Sequence, residues 1–272
     1  MKRKGLILTI VGAVLMMGSC NRSSDLGAVD ESMCGTTSFN CSTQSIVVEM
    51  TRAESSYTIP ADKVPSVDDL TVVIGGRYID STTQEESTYS YGPLLVSEYN
   101  EALPKMVASS DYSASFYYGE AEAEGEDACY FAGSIDFEVV ARGATNEEVT
   151  VTLQNSIISM TNDEMFSNYY TDAVFTVKSS SGNSFVFSLP SEKIVFVEAG
   201  TTLTLSGVAN KVSSGESVTF NATEIGQTTA RTMSRINVEA NSGVGGENIS
   251  ITLDDTITEM EEITVELNTD NR

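Results

Sequence analysis

The chain has 272 residues, 39 acidic against 15 basic, a formal net charge of −24, and neither histidine nor tryptophan. Without histidine there is no Ser-His-Asp triad, no Cys-His pair and no histidine-ligated zinc. A strongly anionic body also repels phosphate backbones, so nucleic acid is excluded as a partner.

The first twenty residues, MKRKGLILTIVGAVLMMGSC, carry Lys2, Arg3 and Lys4, then a largely apolar run of 12 residues from Leu6 to Met17, then Gly18 and Ser19. A basic start, a short apolar run and small residues describe a signal peptide, and the run falls short of the roughly 20 residues a spanning helix needs. Met17-Gly18-Ser19-Cys20 matches a lipobox, in which the cysteine thiol takes a diacylglyceryl group before cleavage. Residues 1–19 are therefore expected to be removed and Cys20 to be lipidated. Lipid on Cys20 is the one covalent group expected, with no other cofactor, and it makes the membrane a partner at about 0.8 kcal/mol per buried methylene. Removing the three cations of residues 1–19, which include no acid, leaves a body of charge −27.

Residues 20–45 are rich in Ser, Asn, Gly and Thr without apolar periodicity, and read as a lipidated flexible tether. Within it, Cys34 and Cys41 lie close together in an exported chain, where disulfides persist, and are expected to pair. Cys129 sits among apolar neighbours and reads as a small buried hydrophobe.

From Ile46 the chain becomes a succession of short runs rich in Val, Ile, Phe, Tyr and Thr. These include 46–50, 70–74, 112–118, 135–140 and 149–153, then 173–178, 184–189, 194–197, 202–205, 217–220, 249–253 and 263–267. Val149-Thr150-Val151-Thr152-Leu153 and Ile249-Ser250-Ile251-Thr252-Leu253 alternate, as strands with one buried face do. The turn formers between Lys178 and Ser184 predict a hairpin over 173–189. Thr161 and Glu164 have capping-box spacing before Met165, Phe166, Tyr169 and Tyr170, which predicts one short helix in a connector over 155–171. So many strands in a mature chain of about 250 residues exceed one sandwich of roughly 100. The expected fold is all-β, with two β-sandwich domains in series, 46–155 and 156–272.

Two features invite a ligand. Glu120-Ala121-Glu122-Ala123-Glu124-Gly125-Glu126-Asp127 is the densest acidic cluster, but it lacks the alternation of a calcium-wrapping loop and reads as a solvated loop, with no metal expected. Tyr89, Tyr91, Tyr112, Tyr117 and Tyr118 gather within thirty residues; they supply either core and strand-surface packing or a platform for sugar rings.

Leu103-Pro104, Tyr112-Ser113-Ala114-Ser115-Phe116 with Gly119, Phe131-Ala132-Gly133 leading into Phe137-Glu138-Val139, Val149-Thr150-Val151 and Phe175-Thr176-Val177 resemble an uncharacterised lipoprotein family of Bacteroidales gut bacteria grouped with fimbrillin-like proteins. The resemblance spans roughly residues 45–210 and rests on packing motifs. It implies paired transthyretin-like or immunoglobulin-like sandwiches on a lipid anchor, and a part in adhesion or fimbriae at the outer membrane. No catalytic residues come with it, so no enzyme is expected. It also implies processing after an arginine near the first strand, a place held here by Arg52, followed by strand addition from a second subunit. The alternating segment Ile263-Thr264-Val265-Glu266-Leu267 is the segment such donation would use; in the alternative, Arg52 is a surface arginine and this segment pairs within its own sheet. Either a protein partner, including self-association, or a glycan in polysaccharide capture remains open as the ligand.

Overall fold

The structure, a computed structural model, describes residues 30–49, 55–81, 83–240, 248–253 and 256–264. In chain order the strands are β1 (Cys34–Thr43), β2 (Ile46–Glu49), β3 (Ser55–Thr58), β4 (Thr71–Ile79), β5 (Glu86–Leu95), β6 (Met106–Val107), β7 (Ser109–Tyr118), β8 (Phe131–Val139) and β9 (Ala144–Leu153). They continue with β10 (Ser156–Asn162), β11 (Tyr170–Ser179), β12 (Ser184–Ser188), β13 (Ile194–Val197), β14 (Thr202–Lys211), β15 (Ser217–Gln227), β16 (Thr232–Ala240), β17 (Asn248–Leu253) and β18 (Thr256–Thr264). Among the described residues two short α-helices interrupt them, α1 (Val96–Ala102) and α2 (Glu164–Tyr169).

The first sheet runs β5-β4-β7-β8-β9-β1-β6. β8 and β9 share only the pairs Phe131↔Leu153 and Ala132↔Thr152, and β9 then pairs in parallel with β1 from Thr36 to Thr43. The sheet thereby folds over on itself, and Phe39 of β1 meets Phe116 and Phe137 across the layers at 5.1 and 5.3 Å between ring centres. Edge-to-face geometry of this kind adds to the burial of each ring. β9 shows how sequence builds the layer: Val149, Val151 and Leu153 are buried while Thr150 is exposed.

The second sheet runs β12-β11-β14-β15-β18-β17-β16-β10-β13, with β2 and β3 attached beside β16. β18 turns the corner, pairing with β17 from Thr256 to Glu261 and with β15 from Glu262 to Thr264. A core that includes Phe175, Phe187, Phe220, Ile236 and Ile251 fills the space it encloses.

The two cores meet at strands buried on both faces. Ile157, Phe196 and Met233 point into the first core, while Ile158, Val195, Val197 and Ile236 on the same strands point into the second. Each of these side chains is at most 1% exposed. Fully burying such a residue is worth roughly 1.5–3 kcal/mol, so the two sandwich units are packed as one body through β10, β13 and β16.

Four expectations are corrected. The tether over 20–45 is, from Cys34 to Thr43, the strand β1, with β9 on one side and β6 on the other. Its inward residues Thr37, Phe39 and Cys41 include one strong hydrophobe, so hydropathy did not mark it. The segment from Ile46, expected to open the first sandwich, joins the second sheet through Val48↔Thr232 and Glu49↔Met233, although Val47 faces the first core. The connector over 155–171 begins as β10, a strand that does not alternate because both its faces are buried. The cap of α2 is Asp163, whose carboxylate accepts from the Phe166 N–H at 2.6 Å, while Thr161 stays in β10 and donates to Asn237 at 3.2 Å.

Candidate interaction surface

The expected disulfide is not formed: Cys34, Cys41 and Cys129 are all free and buried. Cys34 and Cys41 lie on one extended strand, so at about 3.3 Å per residue their Cα atoms are about 23 Å apart. A disulfide requires less than about 7 Å. Burial pushes the Cys41 thiol up to about 11 and raises those of Cys34 and Cys129, which makes all three poor nucleophiles. Cys20 and Arg52 lie outside the described residues.

The tyrosines divide. Tyr112 is buried and donates to the Val107 carbonyl at 2.9 Å. Tyr89 and Tyr91 lean into the same core, stacked on each other at 6.3 Å and set edge-on against Tyr112 and Tyr99. Burial raises the Tyr89, Tyr99 and Tyr112 hydroxyl pKa values well above the ordinary. Tyr117 is half-buried and Tyr118 is exposed. Tyr99, absent from the sequence expectation, donates to the Thr37 carbonyl at 3.1 Å and ties α1 to β1.

The acidic cluster between β7 and β8 is occupied rather than free. Glu124 Oε2 accepts from the Ser179 and Ser181 hydroxyls at 2.6 Å each and from Asn183 Nδ2 at 2.8 Å, and Oε1 accepts from the Glu198 N–H at 3.1 Å. Beside it, Gly125 N–H donates to Phe196 O at 2.9 Å and Phe196 N–H donates back to Gly125 O at 2.8 Å. Gly125 has a φ of +150°, where glycine is favoured. Glu126 pairs with Lys193 at 2.9 Å, and Asp127 pairs with Lys63. Burial pushes the Glu124 carboxyl up, but the bonds from Ser179, Ser181, Asn183 and the Glu198 amide outweigh it and hold its pKa below the usual value. The loop of the first unit therefore grips the β11–β12 turn and the outer edge of β13 in the second. The Ser-rich turn was legible only as a turn; nothing in it marked a carboxylate receptor. Among the described residues no group of three or more His, Cys, Asp and Glu side chains is placed to hold a metal ion.

A second edge is closed in a related way. β6 covers β1 only at Cys34 and Gly35. Farther along, Asn100 of α1 accepts from the Phe39 N–H at 3.0 Å and donates to the Phe39 carbonyl at 2.9 Å, standing in for a neighbouring strand.

Among the described residues an apolar groove lies open beside β2. It encloses about 600 Å³ and runs between β2, β3 and the end of β9, lined by residues including Ile46, Val48, Thr152, Leu153 and Arg231. Ile46 and Val48 are each 49% exposed in it.

These features describe an all-β protein of two fused sandwich units, with two strand edges capped, at Phe39 by Asn100 and at β13 by Glu124 and Gly125, and an apolar groove at the junction. The chain belongs to the family described as domain of unknown function (DUF4493), whose model matches residues 36–269. No curated protein matches it. Solved structures of similar outline include a candidate cell adhesion protein from Bacteroides ovatus, 10% identical, covering 85% of this chain and 98% of its own, with a TM-score of 0.40. A fimbrial assembly protein from Parabacteroides distasonis is 7% identical over 83% of this chain and 98% of its own, at a TM-score of 0.39. A candidate polysaccharide-binding protein from Bacteroides thetaiotaomicron is 9% identical over 82% of this chain and 97% of its own, at 0.35. Among the described residues no helix is long and apolar enough to cross a membrane.

Proposed function

We propose that this chain is a non-catalytic protein of the cell envelope, held at the outer membrane by lipid on Cys20, acting in adhesion or as a fimbrial-type subunit through its sheet strands. The observation that carries this reading is the seating of the first two strands. β1 and β2 both precede Arg52 and both enter their sheets by parallel pairing, β1 on β9 and β2 on β16. A single cut after Arg52 would release both from the body that follows. It would leave a slot one strand wide beside β9, in which the site of Phe39 is walled by Tyr99, Phe116 and Phe137. An extended strand from a second copy fills such a slot with backbone hydrogen bonds and one aromatic anchor.

Ile263 and Thr264, the start of the segment read as a donor, pair with Thr219 and Val218 of their own chain, so the donated strand is left unassigned. The competing glycan reading draws no support from Tyr89, Tyr91 and Tyr112, which the first core uses. The test is the amino terminus of the protein recovered from cells. A form beginning at Ala53, together with palmitate labelling of the precursor that Cys20→Ala abolishes, is the expected result. A protein beginning only at Cys20 would sink the strand-exchange reading.

A further inference from the structure

The outer edge of β13 is covered by the acidic loop rather than by a strand. β13 reads Ile194-Val195-Phe196-Val197, apolar and largely β-branched, and its inner side pairs with β10 from Ser156↔Val197 to Ser159↔Ile194. Backbone groups of alternate residues in an antiparallel strand point to the same side. Phe196, bonded outward to Gly125, therefore shares its side with Ile194 and Glu198. An edge of this composition, if bare, is a template for another chain. Here Gly125 supplies one residue of neighbouring strand, and the Glu124 carboxylate takes the next outward amide, that of Glu198.

We propose that the acidic loop Glu120–Asp127 is a guard on the open edge of β13, and that displacing it converts the edge into a pairing site for the same edge of a second copy. Two features select a second copy as the occupant. Antiparallel pairing of Phe196 with its symmetry mate reproduces the two bonds now made to Gly125, so the edge is self-complementary about a two-fold axis. The loop also sets Glu124 on that edge and Glu126 against Lys193 beside it, within a run of five acids on a chain of net charge −24, where a like copy is repelled. Moving the loop withdraws those acids and releases Lys193 from Glu126 beside the strand. The guard does not depend on cleavage at Arg52 or on any adhesive role.

The test uses the mature protein in detergent solution, with amide-resolved hydrogen exchange and light scattering. Glu124→Ala removes the acceptor for four donors. The amides of Phe196 and Glu198 are expected to exchange about tenfold faster or more, while those of Val195 and Val197 keep their protection. A concentration-dependent dimer is expected with it. Ser181→Ala with Asn183→Ala, two exposed donors only, gives the same direction with smaller size and decides the matter if Glu124→Ala unfolds. Native protection at Phe196 and Glu198 in both variants, or raised exchange with a monomer at every concentration, overturns the proposal.

Discussion

At Phe39 of β1 a neutral amide closes the strand edge, with Asn100 both donating and accepting; at Glu198, just past β13, a carboxylate does so, and it only accepts. An amide reproduces both bonds of a missing strand and does so at any pH. A carboxylate covers one N–H, needs a main-chain partner in Gly125 for the rest, and draws three side-chain donors from the β11–β12 turn to satisfy its other oxygen. The first arrangement is local and unconditional. The second reaches across two units and lasts only while the acid stays ionised.

The largest expected effects come from removing the residue each cap protects. Phe39→Ala and Phe196→Ala empty sites that are 3% and 0% exposed and each should cost about 3–5 kcal/mol in urea unfolding. A cost under about 1 kcal/mol at either site would mean that edge is not anchored in the core. Next come the caps themselves. Asn100→Ala and Glu124→Ala should each cost about 0.5–1.5 kcal/mol, because part-buried backbone donors lose their acceptors. Only the second should loosen the contact between the units, read as faster exchange at Glu198 with Phe39 unchanged.

Acid separates the two caps without mutation. The Glu124 carboxyl is held below its ordinary value in the folded chain. Its contribution is complete above the unfolded value of about 4.3 and is lost as the pH falls through the lower folded value. On the same loop Glu126 is paired with Lys193 and Asp127 with Lys63, and the amide that Glu124 accepts from is that of Glu198. Exchange at Glu198 should therefore rise relative to Phe39 as the pH is taken below about 4; equal responses at both amides would break the comparison. The smallest effect belongs to the open groove. Ile46→Ser with Val48→Ser, both half exposed, should change stability by no more than about 0.5 kcal/mol.

What was legible in the sequence follows from how sharply each strand distinguishes its faces. β9 and β17 alternate cleanly and were read directly; so was the turn between β11 and β12. β1 was invisible because its inward Thr37 is polar and satisfied by Thr145 at 2.9 Å, leaving Phe39 alone to signal burial. β10 was taken for a connector because a strand between two cores has no wet face to alternate with. Of the interaction surface, the acidic loop was noticed but its partners were not. A carboxylate and its Ser179, Ser181 and Asn183 donors lie more than fifty residues apart, and no local pattern joins them. The Asn100 cap likewise spans 61 positions to Phe39.

The proposal that this protein works through strands passed between copies is tested most directly by an immunoblot of native outer membranes with boiled and unboiled samples side by side. Strand-exchanged subunits give a ladder of multimers that collapses on boiling. A single band near the mature mass in both lanes would contradict the account.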